Sequence, residues 1–232
     1  MQKTTLTSDI AKIRTNGAYA AIGGAIMAVT FLGVLHVLSP EFDPSWRMVS
    51  EYANGHYGWV LTLMFAGFGI SILALAYVIW SQVKTRGGKI GLFLLVLAGL
   101  GLGLTAVFDI NSPLHELVSD VGILFLPVAA MLISTRLART QAWSAGKKLL
   151  LWMGNLTWVS VVVFIATFAL MIATFIQSGA PLTSDPKAVT ELPNGVIGLV
   201  GWAGRLMVVV FCAWVAAVAW QGLKLRKNKG GR

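Results

Sequence analysis

The stretch FDINSPLHELVSDVGILFLP, residues 108–127, holds four ionisable side chains between two apolar runs: Asp109, His115, Glu116 and Asp120. Such a set suits proton transfer. An imidazole acts as a general base when a neighbouring group orients it, so His115 is the candidate base and Asp109 or Asp120 the candidate orienting carboxylate. Histidine and carboxylate together can also hold a metal. No two of the histidines at 36, 56 and 115 have HxxxH or HExxH spacing, so metal ligands would have to come from separate segments, and whether a metal binds stays unknown from the sequence. No two of these histidines sit at facing depths within the membrane, which argues against haem. Arg205, Arg47, Glu51, His56 and Glu116 are the candidate ligand-binding residues, because a guanidinium offers phosphate or carboxylate a bidentate contact. Ser50, Ser112 and Ser119 are hydroxyls in the same region, but serines at helix starts are more often caps. The chain has neither GxSxG nor a phosphate-binding loop.

The elements that must position these residues follow from composition. Of 232 residues, 56% are hydrophobic and 12% charged, and the mean hydropathy is +0.76. A soluble domain carries roughly 25% charged residues. Too few charges remain to cover a water-facing surface, so the fold class is an all-α, polytopic membrane protein. Six apolar runs are expected as helices at about 17–38, 57–80, 90–108, 114–135, 149–176 and 196–223, each near the roughly 20 residues that span a bilayer. Together they make one integral membrane domain, 1–232. The first run exceeds the roughly 7–15 residues of a signal-peptide core, and SPEFDPSW after it is a poor cleavage site, so it reads as an uncleaved helix. Pro113 can open the fourth helix with Ser112 as its cap. Ala20 with Gly24, and Gly99 with Gly103, are small-residue pairs that let helices approach closely. Glycines at 195, 198, 201 and 204 thin the sixth helix. Asn155, Thr157 and Ser160 are expected to hydrogen-bond between helices. Trp46, Trp59, Trp80, Trp152 and Trp220 fall near helix ends, as interfacial aromatics do. Cys212 is the only cysteine, so the chain holds no internal disulfide.

Charge sets the expected orientation. Fifteen of the 18 Lys and Arg residues lie in the N-terminal segment, the second-to-third and fourth-to-fifth loops and the C-terminal tail, and eight of the nine acids lie on the opposite side. The positive-inside rule then places both termini in the cytoplasm. Counting up each helix from its basic end at about 1.5 Å per residue puts His36 about 33 Å up, Asp109 about 30 Å, His115 about 31 Å, Asp120 about 24 Å and Arg205 about 28 Å. These groups reach one layer near the outer edge of a hydrocarbon core about 30 Å thick. Asp120 and Arg205 are the expected ion pair, since a lone charge at that level is costly. His36 reads as an ordinary helix-end residue whose replacement is mild.

SPEFDPSWRMVSEYANGHYGW after the first helix and FDINSPLH before the fourth resemble the bacterial membrane family known as domain of unknown function 998. The likeness covers nearly the whole chain, implies six helices with an outer site, and supplies no activity. A more distant likeness is to Frag/DRAM-type six-helix proteins, some of which act in lipid-anchor remodelling or lipid transport; their comparable turn reads Phe-Pro, where here Asp109 follows Phe108. The resemblance places the chain in a cell membrane, the bacterial inner membrane. Four readings compete: a lipid-headgroup or amphiphile handler, an outward-facing hydrolase or transferase with or without metal, a structural or accessory subunit, and, less favoured for want of an inverted repeat, a transporter. Membrane lipids are the expected partners and nucleic acid is not, despite a net charge of +9. A homo-oligomer stays open, the sequence names no cofactor, and enzymatic activity is left undecided.

Overall fold

A computed structural model describes residues 2–180 and 191–230 and shows an all-helical bundle among them. The helices are α1 Gln2–Leu38, α2 Gly58–Ile79, α3 Arg86–Leu104, α4 His115–Leu137, α5 Lys147–Gln177 and α6 Val200–Gly230. Each contains a segment long and apolar enough to cross a membrane. Two short 3-10 helices, Val49–Asn54 and Gln141–Gly146, lie in the connections. Part of the polar loop expected before the sixth helix, 181–190, lies outside the described residues.

Helix ends depart from the sequence expectation where local chemistry decides them. α3 starts four residues early because Thr85 caps it, its Oγ1 accepting from the Gly88 N–H at 3.2 Å. It also ends four residues early, at Leu104. The backbone of Gly195 has φ +87°, and α6 begins only at Val200. The basic tail continues that helix to Gly230. α4 opens at His115, after a turn in which the Ser112 Oγ accepts from the Leu114 N–H.

The helices form a ring in chain order. Each packs on the next, α6 closes back onto α1, and α2 also touches α6 across the middle. Neighbours run antiparallel, as Gly17 beside Val78 and Gly24 beside Gly67 show for α1 and α2. The two ends of the bundle therefore differ: a basic end with Lys84, Arg86 and Lys147, and an acidic end with Glu51, Asp109, Glu116 and Asp120.

Small residues set how close the helices come. On α1, Ala18, Ala21, Ala25, Ala28, Leu32 and Leu35 are all buried. Their alternating steps of three and four keep one seam facing α2 and α6. In lipid the packing itself, rather than exclusion of water, holds such a seam together. A Cβ on Gly24 would stand 2.6 Å from the Gly67 carbonyl oxygen, and Ser71 donates to the Ala21 carbonyl at 2.6 Å. Gly99 and Gly103 do form a contact face: Gly69 of α2 packs on the α3 backbone there, where a Cβ would come within 2.5 Å of the Gly103 Cα. Gly24 makes its close approach, while Ala20 is exposed. Gly201 of α6, and Gly198 just before that helix, admit the 44–47 loop rather than another helix.

The hydroxyls of α5 correct the expectation of interhelical bonds. Thr157 Oγ1 donates to the Gly154 carbonyl and Ser160 Oγ to the Thr157 carbonyl, both within their own helix. A side-chain bond between helices is made instead by Trp214 of α6, whose Nε1–H donates to Ser134 Oγ of α4 at 3.0 Å.

Candidate functional site

The acidic end holds three separate polar groups where the sequence suggested one layer. The first surrounds Arg205, 4% exposed in the second turn of α6. Its Nε–H donates to His36 Nε2 at 2.8 Å. One Nη donates to the Arg47 and Gly201 carbonyls at 2.8 and 2.9 Å, and the other to the Tyr52 hydroxyl at 3.0 Å. A guanidinium has five N–H donors, so four are occupied. His36 Nδ1 lies 2.7 Å from the Leu32 carbonyl. A carbonyl only accepts, so Nδ1 carries the hydrogen and Nε2 offers the lone pair that Arg205 needs. His36 is thus held as the neutral Nδ1–H tautomer. Its ring stacks on Trp202 with centroids 5.9 Å apart.

A buried charge is tolerable when its hydrogen-bonding capacity is met. Here neutral dipoles meet it, not a carboxylate. The expected Arg205–Asp120 pair is not formed, because Asp120 makes no hydrogen bond or ion pair among the described residues. Arg205 instead ties α1, α6 and the 47–52 loop together. Beside it, Arg47 and Glu51 make the ion pair seen among the described residues, at 2.6 Å. The other Glu51 oxygen accepts from the Met48 N–H at 2.7 Å, and the Arg47 guanidinium sits 4.2 Å over the Trp46 ring.

The second group lines a cavity of about 730 Å³ between α2, α3, α4, α5 and α6. Its polar end presents Ser50, Ser112, His115, Glu116, Ser119 and Asp120; its apolar end presents Phe65, Phe68, Phe164, Phe168 and Phe211. The volume is that of a typical small-molecule site. Beyond Phe211, toward the basic end, Trp214 and Leu126 are fully buried. Pro127 cannot donate to the carbonyl four residues before it, that of Ile123, another lining residue.

His115 is 8% exposed, and its Nδ1 lies 2.9 Å from the Phe108 carbonyl. That carbonyl orients the ring, in the place expected for Asp109 or Asp120. The same argument as for His36 puts the hydrogen on Nδ1. Nε2 has no partner among the described residues, and the side chain lines the cavity. Two of the serines act locally: Ser119 donates to the Glu116 carbonyl, and Ser112 accepts from Leu114.

The third group is a crevice of about 390 Å³ that takes in His56, Thr105 and Asp109. Asp109 accepts from the Asn111 N–H at 2.9 Å in a tight turn. No cluster of three or more His, Cys, Asp or Glu suited to a metal occurs among the described residues.

With this geometry in hand, a comparison with protein families matches residues 21–221 to one described as Protein of unknown function (DUF998). The chain belongs to that family. Its match spans from α1 into α6 and covers all three polar groups. The description gives no activity to the DUF998 fold. No curated protein and no solved structure matches the chain.

Sequence reasoning missed two participants. Tyr52 and Trp202 complete the Arg205 group, and only the position of SEY inside a polar loop pointed toward Tyr52. His36 was in view but read as unimportant.

Proposed function

We propose that this DUF998 protein binds an amphiphile of the membrane, its polar part at the His115 end of the cavity and its chain among the phenylalanines. One observation carries the reading: a single cavity runs from a polar rim into an aromatic, apolar interior within the helical bundle. An entry route supports it. α5 has buried residues only from Leu150 to Val161, and none over its remaining half. α5 meets α4 near Gly154 and Ser134, and its acidic half stands exposed, so the cavity wall there faces the surroundings of the bundle. The charge pattern supports an orientation with the cavity on the outer side of the membrane.

A second reading is a hydrolase or transferase. The unpartnered His115 Nε2 favours it, since a neutral imidazole lone pair facing a cavity can accept a proton. Native mass spectrometry of the protein in a mild detergent tests both. The wild type should retain an amphiphile of defined mass, and Ile123→Trp, which fills the cavity from α4, should lose it. An Ile123→Trp protein that keeps its full complement of bound amphiphile would sink the cavity as the binding site. Turnover of a retained lipid ester that stops with His115→Gln would move the assignment to the second reading.

A further inference from the structure

We infer that the polar end of the cavity takes a cationic group, an ammonium, rather than the anionic phosphate or carboxylate that Arg205 suggests. This rests on the amphiphile-binding reading above. The charged side chains lining the cavity are Glu116 and Asp120, both exposed at its rim. The nearby cations do not line it. Arg205 is turned to His36, Tyr52 and two carbonyls, and Arg47 to Glu51. Glu116 and Asp120 are one helical turn apart on α4, where like charges repel each other. A cation between them removes that repulsion.

The neutral groups point the same way. His115 is more than nine-tenths buried and is fixed through Nδ1 by the Phe108 carbonyl. Its Nε2 has no partner among the described residues, and in the neutral ring it offers a lone pair. An ammonium carries N–H donors and no acceptor, which suits two carboxylates and one imidazole lone pair. Two effects oppose this. The N-termini of α4 and α6 both reach the cavity, and each carries roughly half a positive charge. Two full negative charges exceed that sum, so the rim stays net negative. A quaternary ammonium gains the charge term without the hydrogen bonds, and phenylalanine faces nearby can also hold such a cation.

The test is native mass spectrometry of the full chain in a neutral maltoside detergent with three probes: phosphatidylethanolamine, phosphatidylglycerol and dodecyltrimethylammonium. Wild type should retain at least one ammonium-bearing probe about ten-fold better than phosphatidylglycerol. Phosphatidylethanolamine alone would identify a lipid headgroup as the source, and dodecyltrimethylammonium alone a free amphiphile. Glu116→Gln with Asp120→Asn, near-isosteric and at exposed positions, should reduce that preference about ten-fold. Asp120→Lys should turn it toward phosphatidylglycerol. Equal retention of all three probes, or a preference for phosphatidylglycerol in wild type, would overturn the cation assignment and leave the amphiphile site standing. Retention of none would remove the amphiphile reading itself.

Discussion

His36 carries more of the fold than its type suggests. It supplies the one lone pair that meets the Arg205 Nε–H, and it can do so only as the Nδ1–H tautomer that the Leu32 carbonyl selects. His36→Leu removes the acceptor and leaves a buried charged donor unsatisfied. Hydrogen bonds to charged groups contribute about 1.5–3 kcal/mol, so His36→Leu should lower thermal stability in detergent by an amount in that range. His36→Gln, whose amide oxygen can accept, should recover part of it. A His36→Leu protein that melts with the wild type would show that Arg205 draws no stability from the ring. Depth along the helices was legible in the sequence: His36 and Arg205 do share a level. Direction around the helix was not. Asp120 reaches a similar level on α4, but the cavity separates α4 from α6 there, so equal height brought no contact.

At the scale of elements, adjacent glycines in α1 make opposite predictions. A Cβ on Gly24 would meet the Gly67 carbonyl oxygen at 2.6 Å and the Ser71 Cβ at 3.0 Å, while one on Gly23 meets nothing within 4 Å. The Gly67 carbonyl belongs to rigid helix backbone and cannot swing aside. Overpacking of this kind costs about 1–3 kcal/mol, so Gly24→Ala should lower the melting temperature. Gly23→Ala gains helix propensity, about 0.8–1 kcal/mol in water, and should be neutral or stabilising. Equal melting of the two variants would mean the α1–α2 seam is looser than its geometry. Existence of the helices was readable because long apolar runs have few alternatives in this composition. Their ends were less so. α3 is bounded by a threonine cap inside what reads as a basic turn, and a cap acts through one hydrogen bond that leaves no mark on hydropathy. The pairing of Gly99 and Gly103 with Gly69 was half visible: the spacing was in the sequence, the partner was not.

For the whole molecule, the division into a basic and an acidic end decides which leaflet the cavity serves. The lysines and arginines cluster at the end of the bundle opposite the cavity, and basic loops are retained in the cytoplasm. By that rule the Arg205 group and the rim carboxylates are expected to face outward. Cysteine accessibility in intact cells checks this with little background, because Cys212, the only native thiol, is buried. Asn54 sits exposed at the acidic end, and Gln82 and Gln141 sit exposed in the two basic connections. Asn54→Cys should react with a membrane-impermeant maleimide in intact cells. Gln82→Cys and Gln141→Cys should react only after permeabilisation. The three sites also check each other, since Gln82 and Gln141 are separated by two helices and must share a side if α3 and α4 both cross. Labelling of Gln82→Cys from outside, with Asn54→Cys protected, would invert the molecule. The cavity would then draw its ligand from the cytoplasmic leaflet, and the charge rule would have failed for a chain in which it separates 15 of 18 basic residues from the rest.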